Sequence, residues 1–194
     1  SPLTDALSQL KYDPEFNSPI ELMDSYREDG NQNFKIKKYQ WANASYTEGI
    51  KIARREMLQS DKEIGLEARI KVMKMVSLLY NNRASSQYYL ENYRSSTKDA
   101  KLSFGLDPEN QKAILRVARC LEVLKKHQEL IDYCVDMLQP DVDKRPAKPS
   151  PETEEELKKF IAKSGKELKN VQRDERKARI EFMKTASYYS CICF

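Results

Sequence analysis

An all-α fold of three helical hairpins, wound as a right-handed superhelix and closed by a C-terminal helix, is predicted by three features of the sequence. Small residues recur at a spacing of 34, charged residues make up 33% of the 194 positions while Gly supplies only 5, and a proline-rich stretch sets off a last segment that opens with a helix-start signature. Few glycines and dense charge favour long solvated helices over a turn-rich β-sandwich. The length suits one domain, or one domain with an appendage.

The repeat decides the architecture. Ala84, Ser96, Ala100 and Ser103 are followed 34 residues later by Ala118, Leu130, Cys134 and Met137. Upstream, Gly30, Ala42, Tyr46 and Gly49 hold the same offsets of 0, 12, 16 and 19. A helix, a tight turn and a second helix repeated at this period stack into a solenoid, with small side chains where helices approach closely. Gly30 to Ala84 is 54, one period plus 20, so an insertion falls between the first two units. The stretch Leu58 to Arg69 is expected to extend both flanking helices around a short loop.

In chain order, helices are expected over 19–37, 39–57, 62–90, 93–105, 109–125 and 127–138, with breaks at Lys37-Lys38-Tyr39, Glu91-Asn92-Tyr93 and Asp107-Pro108. The repeats then run over 23–56, 77–110 and 111–144, the three-repeat domain over 19–138, and an N-terminal extension over 1–18. Residues 139–150 carry Pro140, Pro146 and Pro149 and read as a connector, because proline removes an N–H and breaks a helix interior. Ser150 is placed as an N-cap, Pro151 at the first helical position, and Glu152, Glu154, Glu155 and Glu156 at the positive end of a helix dipole. A C-terminal helix over 151–186 follows, then a tail over 187–194. Its stripe of Leu157, Phe160, Ile161, Leu168 and Val171 is suited to capping the third hairpin.

Composition narrows the function. No stretch approaches the roughly 20 apolar residues that a bilayer span needs, and Asp5, Lys11, Asp13 and Glu15 interrupt the start where a secretory signal would be apolar. An intracellular, cytoplasmic protein is expected, with nuclear access open. His127 is the only histidine, no cysteine pair has zinc-finger spacing, and no glycine-rich phosphate loop is present. No enzyme activity, cofactor or metal is expected. Cys120 and Cys134 fit reduced core thiols. Cys191 to Phe194 formally matches a prenylation box, but Cys193 stands where an aliphatic residue is usual. Between Lys158 and Lys184 lie 10 basic and 4 acidic residues, which reads first as a solvated helix with i,i+4 pairs. Nucleic acid and membrane are therefore not the expected partners.

Function is expected on the concave face, which the first helix of each unit lines. Arg27 with Asn31, Asn82, and Lys112 with Arg116 recur there at spacings that let all five project into one groove. Three cations and two carboxamides suit carboxylates, each charge-assisted hydrogen bond contributing about 1.5–3 kcal/mol. A peptide C-terminus ending in Asp offers two such groups at once.

The segments Tyr26-Arg27-Glu28-Asp29-Gly30-Asn31, Tyr46-Thr47-Glu48-Gly49-Ile50, Tyr80-Asn81-Asn82-Arg83-Ala84 and Lys112-Ala113-Ile114-Leu115-Arg116 resemble the carboxylate-clamp tetratricopeptide repeats of chaperone cofactors. Within these, the chain is similar over residues 1 to 184 to the tetratricopeptide repeat protein 4 family. Ser18-Pro19-Ile20-Glu21-Leu22, the insertion, and Gln172-Arg173-Asp174-Glu175-Arg176-Lys177 also fit. The resemblance implies three tetratricopeptide hairpins and a co-chaperone that docks the Met-Glu-Glu-Val-Asp tail of heat shock protein 90, with the related tail of heat shock protein 70 as a second candidate. It implies a clamp of Arg27, Asn31, Asn82, Lys112 and Arg116, with Arg27 where lysine is usual. Phe34, Ser85 and Tyr88 are expected either to wall an apolar pocket for the valine of that tail or, for the two aromatic residues, to pack between hairpins. The alternative is a repeat scaffold that binds an internal peptide, its basic C-terminal helix touching RNA or membrane.

Overall fold

The computed structural model describes residues 10–59, 65–139 and 149–192, with side-chain surroundings for all of these except 57–59 and 184–192. Helices α1 (Pro19–Lys35) and α2 (Tyr39–Gln59) form the first hairpin, α3 (Leu66–Tyr89) and α4 (Tyr93–Leu106) the second, and α5 (Gln111–Val123) and α6 (His127–Leu138) the third. Helix α7 (Pro151–Ile192) closes the stack and runs six residues past the expected end at 186, into the segment read as a tail. Each helix packs on the next in sequence, including α6 on α7 across the connector. The first helices of successive units touch as well, α1 on α3 and α3 on α5, and α7 continues that row against α5.

All twelve residues of the repeat pattern are buried. Their sizes compensate within each unit. In the first, a Cβ on Gly30 would lie 2.6 Å from Cδ1 of Tyr46, so the missing side chain makes room for the ring. The second and third units place Ala84 with Ala100 and Ala118 with Cys134 at those offsets. The second unit also links its helices by hydrogen bonds: Ser96 Oγ donates to Ala84 O at 2.7 Å, and Ser103 Oγ donates to Ser77 O at 2.8 Å. Buried hydroxyls this well matched allow close helix approach without leaving a polar group unpaired.

The turn inside each hairpin has one design. Lys37, Glu91 and Lys125 adopt left-handed φ of 60°, 61° and 55°. The N–H that follows each reaches back five residues along the chain: Lys38 to Asn33 O, Asn92 to Gln87 O and Lys126 to Leu121 O, at 2.8–3.0 Å. These Schellman-type closures end α1 at Lys35 and α5 at Val123, two residues earlier than the sequence patterns suggested. Helix α5 begins at Gln111 instead of 109 because Asn110 N–H donates to Asp107 O at 3.0 Å and keeps Pro108 and Glu109 in a turn. Helix α3 starts at Leu66, with the extended Gly65 as its N-cap, four residues later than the expected 62; Pro140, Pro146, Cys193 and Phe194 lie outside the described residues, and nothing is described of the Cys191 side chain.

Two apolar clusters hold the stack. Met23, Ala42, Tyr46, Ile50, Val76 and Leu79 are among the residues of the first; Ile114, Val117, Leu121, Leu130, Cys134 and Leu157 are among those of the second. Leu157 comes from α7, and Phe160 and Ile161 pack beside it, which is the capping contact. Ser150 caps this helix through Thr153 N–H at 3.3 Å. Val171 does not take part: it is 43% exposed, and every side chain from 169 to 183 faces solvent because α7 has by then run past α5 and α6. At the opposite end, Lys11 pairs with Asp29 at 2.8 Å and the Tyr12 ring lies 4.8 Å from that of Tyr26, fastening the preceding segment to α1.

Candidate functional site

Asn31 of α1 is a junction between three helices. Its Oδ1 accepts from the Tyr46 hydroxyl at 2.8 Å and from Asn82 Nδ2 at 3.0 Å, so α1, α2 and α3 meet at one carboxamide. Burial pushes the Tyr46 hydroxyl up to about 12, with nearby Arg27 opposing the shift, so it is a donor at any ordinary pH. The Tyr46 contact is readable only in retrospect: it is the one hydroxyl at offset 16, opposite the one glycine at offset 0.

One turn along α3, Ser85 Oγ donates to Asn81 O at 3.0 Å and accepts from Arg116 of α5 at 2.7 Å. The same guanidinium lies 5.6 Å from the centre of the Tyr88 ring. Ser85 and Tyr88 therefore hold Arg116 in place. Arg116 Nε is enclosed and has no hydrogen-bond partner among the described residues. Burial pulls the guanidinium below its ordinary pKa, the sign of a charge that lacks solvation. Lys112, four residues earlier on α5, is exposed, and among the described residues neither it nor Arg116 has an ion pair.

Arg27 differs. Its Nε donates to Asp24 Oδ1 at 2.7 Å, and a second guanidinium nitrogen also contacts that oxygen. The sequence reading assigned no acid to the groove, although the i,i+3 spacing of Asp24 and Arg27 was available as a signal. Phe34 stands edge-on to Tyr39 and Tyr89, at 5.2 and 5.5 Å, and borders the first apolar cluster. It thus packs between the first two hairpins, while Tyr88 continues the ring contacts to Tyr93 at 5.3 Å.

Direct contacts join Asn31 to Asn82 and, separately, Arg116 to Ser85 and Tyr88; Arg27 and Lys112 lie one turn before Asn31 and Arg116 on their helices. Arg83, beside Asn82, points elsewhere: it grips the buried Asp99 through two bonds of 2.7 and 2.9 Å and ties α3 to α4. Cys120 and Cys134 are buried, and burial raises both thiols, Cys134 to about 12. Among the described residues no group of three His, Cys, Asp or Glu side chains could hold a metal ion.

Stacked two-helix units with buried residues at each pattern position of a 34-residue repeat define a tetratricopeptide repeat protein. The chain belongs to the tetratricopeptide repeat protein 4 family: it is 35% identical over 175 residues to tetratricopeptide repeat protein 4 of Bos taurus, covering 90% of this chain and 38% of that protein. It is 31% identical over 125 residues to the Hsp70/Hsp90 co-chaperone cns1 of Schizosaccharomyces pombe, covering 64% of this chain and 30% of that one. Among solved structures, the Hsp90 co-chaperone Cns1 of Saccharomyces cerevisiae matches with a TM-score of 0.60 at 20% identity, over 85% of this chain and 46% of that one, which shows the shared fold. No family model matches the sequence. The chain spans about a third of the length of the curated relatives it matches.

Proposed function

We propose that the groove holds the free C-terminus of a chaperone and that the protein is a non-catalytic co-chaperone adaptor. The ligand is the Met-Glu-Glu-Val-Asp tail of heat shock protein 90, with the related tail of heat shock protein 70 as a second guest. A cytoplasmic location goes with this reading. The observation that carries it is the α5 face: Arg116, held by Ser85 and Tyr88 with an enclosed and unsatisfied Nε, one turn from the unpaired Lys112. A desolvated guanidinium without a counter-ion gains from an incoming carboxylate, and each charged hydrogen bond contributes about 1.5–3 kcal/mol. Asn31 and Asn82, already locked together, supply neutral amide contacts to the second carboxylate oxygen at no further ordering cost. The names of the yeast relatives support the chaperone as partner.

Five residues bury little area, so the affinity expected is on the order of 1–10 μM and falls with salt. Lys112→Ala is the clean test, because an exposed and unpaired side chain can be removed without touching the core. Titration with the free-acid pentapeptide is expected to show a loss of about 2 kcal/mol, roughly thirtyfold, with an unchanged melting temperature. Wild-type affinity in this variant would remove Lys112 from the site.

A further inference from the structure

We propose that the turn between α1 and α2 is a second docking surface, for an acidic protein segment that carries an apolar side chain. Trp41, the only tryptophan in the sequence, is 69% exposed, and Ile36 is 62% exposed. Lys35, Lys37 and Lys38 surround them in sequence, all exposed, and none has an ion pair among the described residues. The turn is firmly built: Lys37 N–H donates to Phe34 O at 3.0 Å and Lys38 N–H to Asn33 O at 2.9 Å. These side chains are therefore presented by a backbone that has little left to order on binding.

The other two hairpins act as internal controls. Counting from the left-handed residue of each turn, the place of Trp41 is taken by Ser95 in the second hairpin and Glu129 in the third. The place of Ile36 is taken by Leu90 and Leu124, both partly covered. The same backbone thus closes without an exposed apolar pair, and the repeat does not require one. In the third turn, Glu129 bonds Lys126 at 2.6 Å and neutralises it. Lys38 is the counterpart of Lys126, and where its acid would stand the first turn has Trp41. A carboxylate from outside completes the pair that the third turn makes internally, while its apolar neighbour covers Trp41 and Ile36. Tryptophan is a common anchor of protein interfaces. Three lysines at about 1 kcal/mol each on an anionic bilayer, with two apolar side chains, fall short of stable membrane anchoring.

The surface is independent of the groove, and its test can be made so. The probe is an N-acetylated, C-amidated Asp-Glu-Leu-Phe-Asp-Glu peptide, which has no free terminus for a carboxylate clamp, and the readout is the emission of Trp41. A saturable blue shift is expected below about 1 mM. The affinity should drop at least roughly tenfold in the triple variant Lys35→Gln, Lys37→Gln, Lys38→Gln and stay unchanged in Lys112→Ala. Circular dichroism of the triple variant should match wild type, since the replaced side chains are exposed. No shift, a shift equal in the triple variant, or equal binding of the neutral Asn-Gln-Leu-Phe-Asn-Gln peptide would overturn the proposal. So would a response to phosphatidylserine-containing vesicles with none to the acidic peptide, which would assign the surface to a membrane.

Discussion

Gly30 and Asp24 show how much of the groove depends on single side chains. Gly30 has no Cβ because the Tyr46 ring occupies that space, and the ring in turn delivers the hydroxyl that orients Asn31. Gly30→Ala drives a methyl into a buried ring that is only 1% exposed, so a loss of about 1–3 kcal/mol in chemical denaturation is expected. A variant as stable as wild type would mean that Tyr46 can leave its place. Asp24 works in the other direction. Its carboxylate occupies Arg27, a site cation in the proposed function, and repels an incoming acid. Asp24→Asn should bind the free-acid pentapeptide more tightly, by a factor of about 2 to 5 at low salt. Weaker binding in that variant would show that Asp24 is needed to position Arg27. The spacing that placed Asn31 and Asn82 on facing helices agrees with their contact. The Arg116–Ser85 pairing was not legible, since it depends on rotamers and on the approach of neighbouring helices, whereas the Arg27–Asp24 pair had its i,i+3 spacing as a signal.

At the scale of the element, the hairpin turns carry the clearest stored cost. Three non-glycine residues, Lys37, Glu91 and Lys125, sit in the left-handed region, where an L side chain is unfavourable by about 1–2 kcal/mol. Glu91 is exposed, so Glu91→Gly relieves this without removing packing. The substitution is expected to stabilise by about 0.5–1 kcal/mol, raising the thermal midpoint by about 1–4 °C for a chain of this size. A lowered midpoint would contradict the turn geometry. The helices themselves were readable from apolar periodicity and from the break signals, and Ser150 and Pro151 start α7 as their types suggested. The helix ends were read two residues too far at Lys35 and Val123. At these two ends the left-handed residues are Lys37 and Lys125, which in sequence look like ordinary exposed helix positions.

The described residues form a short solenoid that is fastened at both ends. Leu157, Phe160 and Ile161 of α7 close the third hairpin, and the Lys11–Asp29 and Tyr12–Tyr26 contacts fasten a strap on the first. The 34-residue period and the 20-residue insertion made the order of hairpins legible. The strap was not, because no periodicity marks an irregular segment. Nor could the stripe on α7 show where its cover stops: Val171 has helical spacing but no neighbouring helix to meet. Within this frame, Lys112 and Arg116 are cations without an internal counter-ion among the described residues, and the central claim is that a free chain terminus supplies it. Calorimetric titration of the protein with Met-Glu-Glu-Val-Asp as the free acid and as its C-terminal amide tests this most directly. The account predicts binding of the acid at about 1–10 μM and a loss of at least roughly tenfold for the amide. Equal affinity for the two peptides, or none for either, would contradict it.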